Sequence, residues 1–317
     1  MMISPRRPAI QVDRLHRYFG ETKAVQNMSF EVYPGEVFGY IGPNGAGKTT
    51  SMRIIATLDE PTSGDAFVDG FSVVDDPERV RKRLGFMPDY FGAYHDVNVR
   101  EYLDFFARAY GLRGPQRNAA IDRVMEFTML DRLARKPIDG LSKGMKQRLC
   151  LGRTMIHDPA VLILDEPAAG LDPRARIELR EMIDALAQAG KAVLISSHIL
   201  TELAEICDRV GIIEQGRLLA VGSVEEISAA AVESVSRVRV RVLEDDDGLR
   251  RWLAAREDVS QVLYADGQFT LNHEGGPAEQ AELLKQLVAA EFRVIEFASK
   301  TKTLEDVFLH VTEGRVQ

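Results

Sequence analysis

The sequence predicts an α/β fold built on a parallel sheet, followed by a small α+β module of ferredoxin-like order, in a chain of 317 residues. Three observations predict it. The runs "AVLILDE" from 160 and "KAVLISSH" from 191 are short, β-rich and almost wholly apolar, as strands buried on both faces of a parallel sheet must be. Segments with helical spacing alternate with such runs, which places helices against the sheet. Residues 236–317 then read strand, helix, strand, strand, helix, strand, the βαββαβ order.

The elements follow in chain order. "MSFEVY" from 28, "EVFGYI" from 36 and "RLGFMP" from 83 read as further strands of the first part. Leu103, Phe106, Ala107 and Tyr110 then keep the i, i+3, i+4, i+7 spacing of a helix, with Asn98 as its cap, Glu101 three residues later and Gly111 at its close. Leu179, Met182, Ile183 and Leu186 repeat the spacing and stop at Gly190. Small residues in "GSVEEISAAAVESV" mark a linker, giving a first domain over 1–222, a linker over 223–235 and a second domain over 236–317. In that second domain Val238, Val240 and Val242 alternate with arginines, a strand with one wet face. A short helix (Leu249, Trp252, Leu253), a hairpin turning at Asp266-Gly267, a helix through Leu284, Leu287 and Val288, the strand "FRVIEF" and a last helix (Leu304, Val307, Phe308, Val311) complete it.

Composition excludes several classes. A 45% hydrophobic and 28% charged chain can bury an ordinary core, and a net charge of −8 does not favour a broad footprint for nucleic acid or anionic lipid. The two cysteines, Cys150 and Cys207, stand in no metal or redox spacing and read as core residues in a reducing compartment. The amino terminus lacks a signal-peptide core, and no run has the length of a membrane span. The expectation is a cytoplasmic chain.

The stretch "GPNGAGKT", from Gly42 to Thr49, matches the phosphate-loop pattern G-x-x-x-x-G-K-[ST] between an apolar strand and a helix. Its glycines let backbone amides curl toward an anion, and the helix beyond directs its positive end at the same point. Gly42, Pro43, Asn44, Gly45, Ala46, Gly47, Lys48, Thr49 and Thr50 are therefore the expected cradle for a triphosphate. Lys48 would pair with the β- and γ-phosphates, and the Thr49 hydroxyl would serve Mg²⁺. "VLILDEP" ends a buried strand in two carboxylates that point different ways: Asp165 is the expected metal residue and Glu166 the expected general base.

A nucleotide kinase would share these features, but its arginine lid and acceptor pocket are not discernible. What separates the readings is "LSKGMKQRL", residues 141–149, shortly before the acidic strand. With it, residues 9 to about 222 resemble the ATP-binding subunit of ABC transporters. "LSKGMKQR" resembles the family's LSGGQ signature, "GLDP" its D-loop (Asp172) and "SSH" its switch histidine (His198), in the family's order. The resemblance implies a P-loop ATPase core with a helical signature subdomain over about 90–158, and adenine stacked on Phe19, with neighbouring Tyr18 the second candidate. It also implies a head-to-tail dimer in which each ATP lies between Lys48 of one chain and Ser142 and Gly144 of the other. A second ATP-binding subunit, in a homodimer, and separate membrane permease subunits are then the implied partners, with no nucleic acid. The chain would sit peripherally at the inner face of the cell membrane. The terminal module, ending in "TLEDVFLHVTEG", resembles the tail of export-type ATPases. A non-transport ABC ATPase of translation or DNA maintenance is the alternative, disfavoured by a single cassette without heptads.

Two positions depart from the family pattern. Asp89 stands where most relatives carry the Q-loop glutamine, and Lys143 and Met145 replace the first glycine and the glutamine of the signature. Asp89 remains an oxygen ligand for Mg²⁺ but adds negative charge and cannot donate as an amide can, so binding should survive while rate and metal dependence change. Lys143 reads equally as a phosphate contact and as a solvated lysine. Tyr90, Phe91 and Tyr94 follow Asp89 in a segment that, by resemblance, faces the membrane partner.

Overall fold

The computed structural model describes residues 7–90, 92, 96–199, 203, 205–223, 226–227, 235–244 and 246–300. Its contacts divide the chain into two units, Met1–Val224 and Glu225–Gln317.

Two sheets make the first unit. β1 (Ile10–Phe19), β2 (Thr22–Val32), β4 (Ser63–Val68) and β5 (Phe71–Ser72) pair antiparallel in the order β2-β1-β4-β5. The second sheet has six strands: β3 (Val37–Ile41), β6 (Leu84–Met87), β7 (Val161–Leu164), β8 (Ala192–Ser197), β9 (Arg209–Glu214) and β10 (Arg217–Ser223). Their order is β10-β9-β3-β8-β7-β6, parallel except for the β9–β10 hairpin at one edge. Every residue of β3, β7 and β8 is buried, which is why their sequences are apolar runs rather than alternations. "MSFEVY", up to Val32, lies in β2 and so belongs to the antiparallel sheet. Between the sheets, Val12, Met28, Phe30, Phe38, Tyr40 and Met52 share one core with α1 (Lys48–Ile55). Chain reversals bring β3 so near the segment before β9 that a Cβ on Gly39 would lie 2.7 Å from the Cys207 sulfur. Both cysteines are free, and burial pushes each thiol's pKa up, away from reactivity.

α2 (Pro77–Arg83) leads into β6, and a helical cluster of α3 (Val99–Ala109), α4 (Gly114–Phe127) and α5 (Lys143–Met155) is inserted before β7. The Asn98–Glu101 capping box forms as expected: Asn98 Oδ1 accepts from the Glu101 amide at 3.0 Å, and Glu101 Oε2 accepts from the Asn98 amide at 2.9 Å. Tyr102, Leu103, Ile121, Val124 and Leu149 fill the cluster, with Met145 packed on its margin. α6 (Pro173–Gln188) then covers the parallel sheet with Leu179, Met182, Ile183 and Leu186.

His157 ties the helical cluster to the sheet and supplies a pH test. Its Nε2 bonds the Leu84 carbonyl at 3.1 Å, and its ring stacks on Tyr110 with centroids 3.7 Å apart. Burial pulls its pKa down from 6.5 to about 4, and its Nδ1 is buried without a partner among the described residues, which thus offer one acceptor to a ring that would carry two donors once protonated. Between those values the unfolded chain holds the proton and the folded chain does not, so stability rises with pH and is lost on acidification. Urea midpoints measured from pH 6.5 to 5 should fall in the parent and fall less steeply in His157→Phe; equal slopes would refute this.

The second unit comprises β11 (Val235–Val242), α7 (Asp246–Ala254), β12 (Val259–Ala265), β13 (Gln268–Glu274), α8 (Pro277–Ala289) and β14 (Val294–Lys300). The sheet order β12-β13-β11-β14, antiparallel throughout, is the ferredoxin-like arrangement. Val238, Val240 and Val242 bury against Leu249, Leu253, Phe269 and Leu287. Asp266 and Gly267 both take positive φ, 52° and 71°, as a tight hairpin of this hand requires. One expectation is corrected: α8 buries Gln280, Leu283 and Leu287, leaving Val288 exposed, because the helix face is rotated from the one the apolar spacing marked. The last expected helix, and Phe91 and Tyr94, lie outside the described residues.

Candidate nucleotide-binding site

The phosphate loop joins β3 to α1, at the carboxyl end of the central strand. Gly45 and Gly47 take positive φ, 81° and 102°, and Gly47 caps the helix. A Cβ on Gly42 would collide with the Ile213 carbonyl, and one on Gly47 with the Ala24 carbonyl. The loop is braced from the β9–β10 turn, where the Gly216 amide donates to the Ala46 carbonyl at 2.9 Å and the Gly216 carbonyl accepts from the Gln26 amide at 2.7 Å. Lys48 folds back on its own loop, donating to the Gly42 carbonyl at 2.6 Å and the Pro43 carbonyl at 3.3 Å. Burial pulls its pKa down, although Glu166, 3.6 Å away, resists this. An incoming polyphosphate would reverse that balance, since it brings negative charge to a buried ammonium short of it.

Beyond β7, each carboxylate has its own setting. Asp165 is buried; its amide donates to the Met87 carbonyl at 2.9 Å and its Oδ1 accepts from the Ser196 hydroxyl at 2.6 Å. Burial pushes its pKa up, with the hydroxyls of Ser196 and Thr49 acting against it, and Oδ2 is buried without a hydrogen-bond partner among the described residues. Glu166 adopts φ 48°, the left-handed region that a side chain with a Cβ enters at a cost, and its amide donates to the same Ser196 hydroxyl at 2.9 Å. That turn aims its carboxylate at two neighbours, His198 Nδ1 at 2.8 Å and Lys48 Nζ at 3.6 Å. The structure thus gathers Lys48, Thr49, Asp165, Glu166 and His198 at one strand end. Thr49 stands beside Asp165 and the charge of Asp89 also acts on it, and the orphaned buried carboxylate oxygen of Asp165 fits a small hard cation such as Mg²⁺.

The signature residues stand elsewhere. Ser142 caps α5, its hydroxyl accepting from the Met145 amide at 3.3 Å, and Asp172 caps α6, accepting from the Ala175 amide at 3.0 Å. The two helix starts converge on a recess of about 130 Å³ lined by Ser142, Gly144, Asp172 and Arg174. Phe19, at the end of β1, is 48% exposed, with the Arg17 guanidinium 4.4 Å from its ring centre. Two positioning residues escaped sequence reasoning. Ser196 serves both carboxylate-bearing residues, and buried Gln147 donates to the Pro167 carbonyl at 2.9 Å, tying the signature helix to the segment after Glu166.

A phosphate loop, an acidic strand end and a second pair of helix starts on a parallel sheet define a P-loop nucleoside-triphosphatase. The ABC transporter family profile matches residues 25–169, and that of the C-terminal domain of DrrA1-3-like ATP-binding proteins matches residues 222–312. The probable multidrug ABC transporter ATP-binding protein YbhF of Escherichia coli is 38% identical over 226 residues, 71% of this chain but 39% of its own length. The Nod factor export ATP-binding protein I of Paraburkholderia xenovorans is 34% identical over 313 residues, 98% of both chains. Among solved structures, an ATP-binding subunit of an ABC transporter is similar at 30% identity with a TM-score of 0.64, covering 70% of this chain and 92% of that one. CbiO1 of Clostridium perfringens, part of an ABC transporter complex, is similar at 25% identity and a TM-score of 0.64, covering 70% and 91%. The chain belongs to the ATP-binding proteins of ABC transporters and carries a DrrA-like C-terminal domain. No described helix is long and apolar enough to cross a membrane.

Proposed function

We propose that this chain is the energising subunit of an export transporter, peripheral at the inner face of the membrane, which closes as a two-ATP dimer to drive separate permease subunits. The observation that carries the reading is Glu166, held at φ 48° between His198 and Lys48 with its amide fixed by Ser196. Strain of this kind is maintained where a side chain must be aimed, and the carboxylate it aims is the base for a water attacking the γ-phosphate. His198 orients that carboxylate, Lys48 holds the β- and γ-phosphates, and Phe19 offers an exposed face for adenine. Mg²⁺, held by Thr49, Asp165 and Asp89, would neutralise phosphate charge during transfer.

Ser142 and Gly144 lie at a helix start with no phosphate loop in their own recess, which supports their serving the ATP of a second copy. Loss of the γ-phosphate removes the bridging charge, and the protomers part. Export as the direction is supported by full-length relatives named for Nod factor export and by the C-terminal domain. The domain limits 1–222 and 236–317 fit this division of labour. The test is affinity purification of the full chain from detergent-solubilised membranes of its host. A polytopic membrane protein should co-purify and raise ATP turnover; recovery with ribosomes or DNA complexes instead would overturn the transport reading.

A further inference from the structure

We propose that Asp89 and Lys143 are a matched charge pair that acts from opposite protomers on one γ-phosphate, each offsetting the other's departure from the family pattern. This rests on the two-ATP dimer proposed above. The first half of the argument is the crowding of acid at the cis site. β6 and β7 run in parallel register, Met87 beside Leu164, so Asp89 emerges next to Asp165 and Glu166. Its carboxylate is exposed there and acts electrostatically on Asp165. Glu166 and Asp165 therefore act on the buried Lys48, Asp89 adds a third acid beside Asp165, and a γ-phosphate adds further negative charge. An amide at 89 would add none. A chain with this acid in place needs compensating positive charge near the same phosphate.

The second half is where such charge is available. Lys143 is the first residue of α5, adjoining Ser142, and is exposed. Its ammonium lies over the D-loop at Gly170, whose φ is 66°, where a Cβ would collide with it. Two basic residues beside the same recess are engaged, Arg148 lying 3.6 Å and Arg174 3.2 Å from Glu178. Lys143 enters no ion pair among the described residues. The recess at this helix start is lined by none of Lys48, Asp89, Asp165, Glu166 or His198, and in the proposed dimer a second copy brings its phosphate to α5 there. There a mobile ammonium on a four-carbon stem reaches the phosphate more readily than the fixed amides behind it.

The test is a double-mutant cycle on the full chain, reading ATP turnover against ATP and Mg²⁺ concentration for Asp89→Gln, Lys143→Gln and the double variant. Glutamine at 143 removes the charge while keeping the helix start. Lys143→Gln should raise the half-saturating ATP concentration about tenfold, the scale of coupling between groups that share a partner. Asp89→Gln, leaving Lys143 unopposed, should hold the dimer closed longer and lower kcat about tenfold. The double variant should return to within about threefold of the parent on both measures. Thermal midpoints without nucleotide should be additive, because the proposed pair acts across two protomers through a phosphate. Independent effects on turnover, or a silent single variant, would overturn the pairing. If Glu166→Gln still dimerises with ATP in that case, the sandwich survives and the pairing alone fails; no dimer would take down both.

Discussion

Glu166→Gln should lower ATP turnover at least about 100-fold while leaving ATP bound, since a positioned general base contributes on the order of 10² to 10⁴. The expectation follows from what the substitution leaves alone. Its amide still donates to Ser196 Oγ, the left-handed φ of 48° is as costly for Gln as for Glu, and Lys48 keeps its carbonyl partners in the loop. Only the capacity to accept a proton is removed. His198, 2.8 Å away, cannot replace it, because the ring is placed to orient the carboxylate rather than to stand in its position. With binding preserved and hydrolysis stopped, ATP should hold two protomers together, and size-exclusion chromatography with ATP and magnesium should show a dimer absent with ADP. Parental turnover in this variant would remove Glu166 from the base role. The alanine variant would be less decisive, since it also deletes the contacts to Lys48 and His198.

The features legible in the sequence share one property: their cause is local. A strand buried on both faces must be apolar, a cap needs its acceptor beside the first turn, and a hairpin with two positive φ values calls for Asp-Gly, so β7, β8, α3 and the β12–β13 turn could be read directly. The antiparallel sheet of the first unit could not. β1 reads "IQVDRLHRYF", and its alternation is broken where the register shifts between Val12 and Leu15 and again before Arg17. Its partner β4 comes from across the phosphate loop, which no period in the sequence announces. The brace on that loop is more distant still, since Gln26 donates to the Gln215 carbonyl over 189 residues. Signals for the two missed positioning residues did exist. Gln147 precedes buried Cys150 and Leu151 by three and four residues, which places an amide on the core face of α5. Ser196 is a hydroxyl inside a wholly buried strand, and such a group must find a partner. In the second unit the βαββαβ order was readable while the buried face of α8 was not, because Leu283, Leu284, Leu287 and Val288 form a stripe wide enough for two orientations.

Gly47→Ala should abolish nucleotide binding and destabilise the first unit by roughly 2–3 kcal/mol, whereas Gly45→Ala should cost about half as much, near the usual penalty for a left-handed alanine. Both glycines take positive φ, so backbone strain alone would make the two changes alike. Surroundings separate them. A Cβ on Gly45 meets nothing within 4 Å, but one on Gly47 runs into the Ala24 carbonyl and comes within 3.3 Å of Gly216 Cα. Neither neighbour can yield: Ala24 lies in β2, and Gly216 is fixed by its bonds to Ala46 and Gln26. Relief must therefore come from the loop, which would rotate the amide at the head of α1 and carry Lys48 away from the carbonyls of Gly42 and Pro43. Urea denaturation of the two variants, with fluorescent-nucleotide binding measured on the folded fraction, distinguishes these effects. Equal destabilisation by both substitutions would mean that φ alone sets the cost and that the brace from the β9–β10 turn is slack.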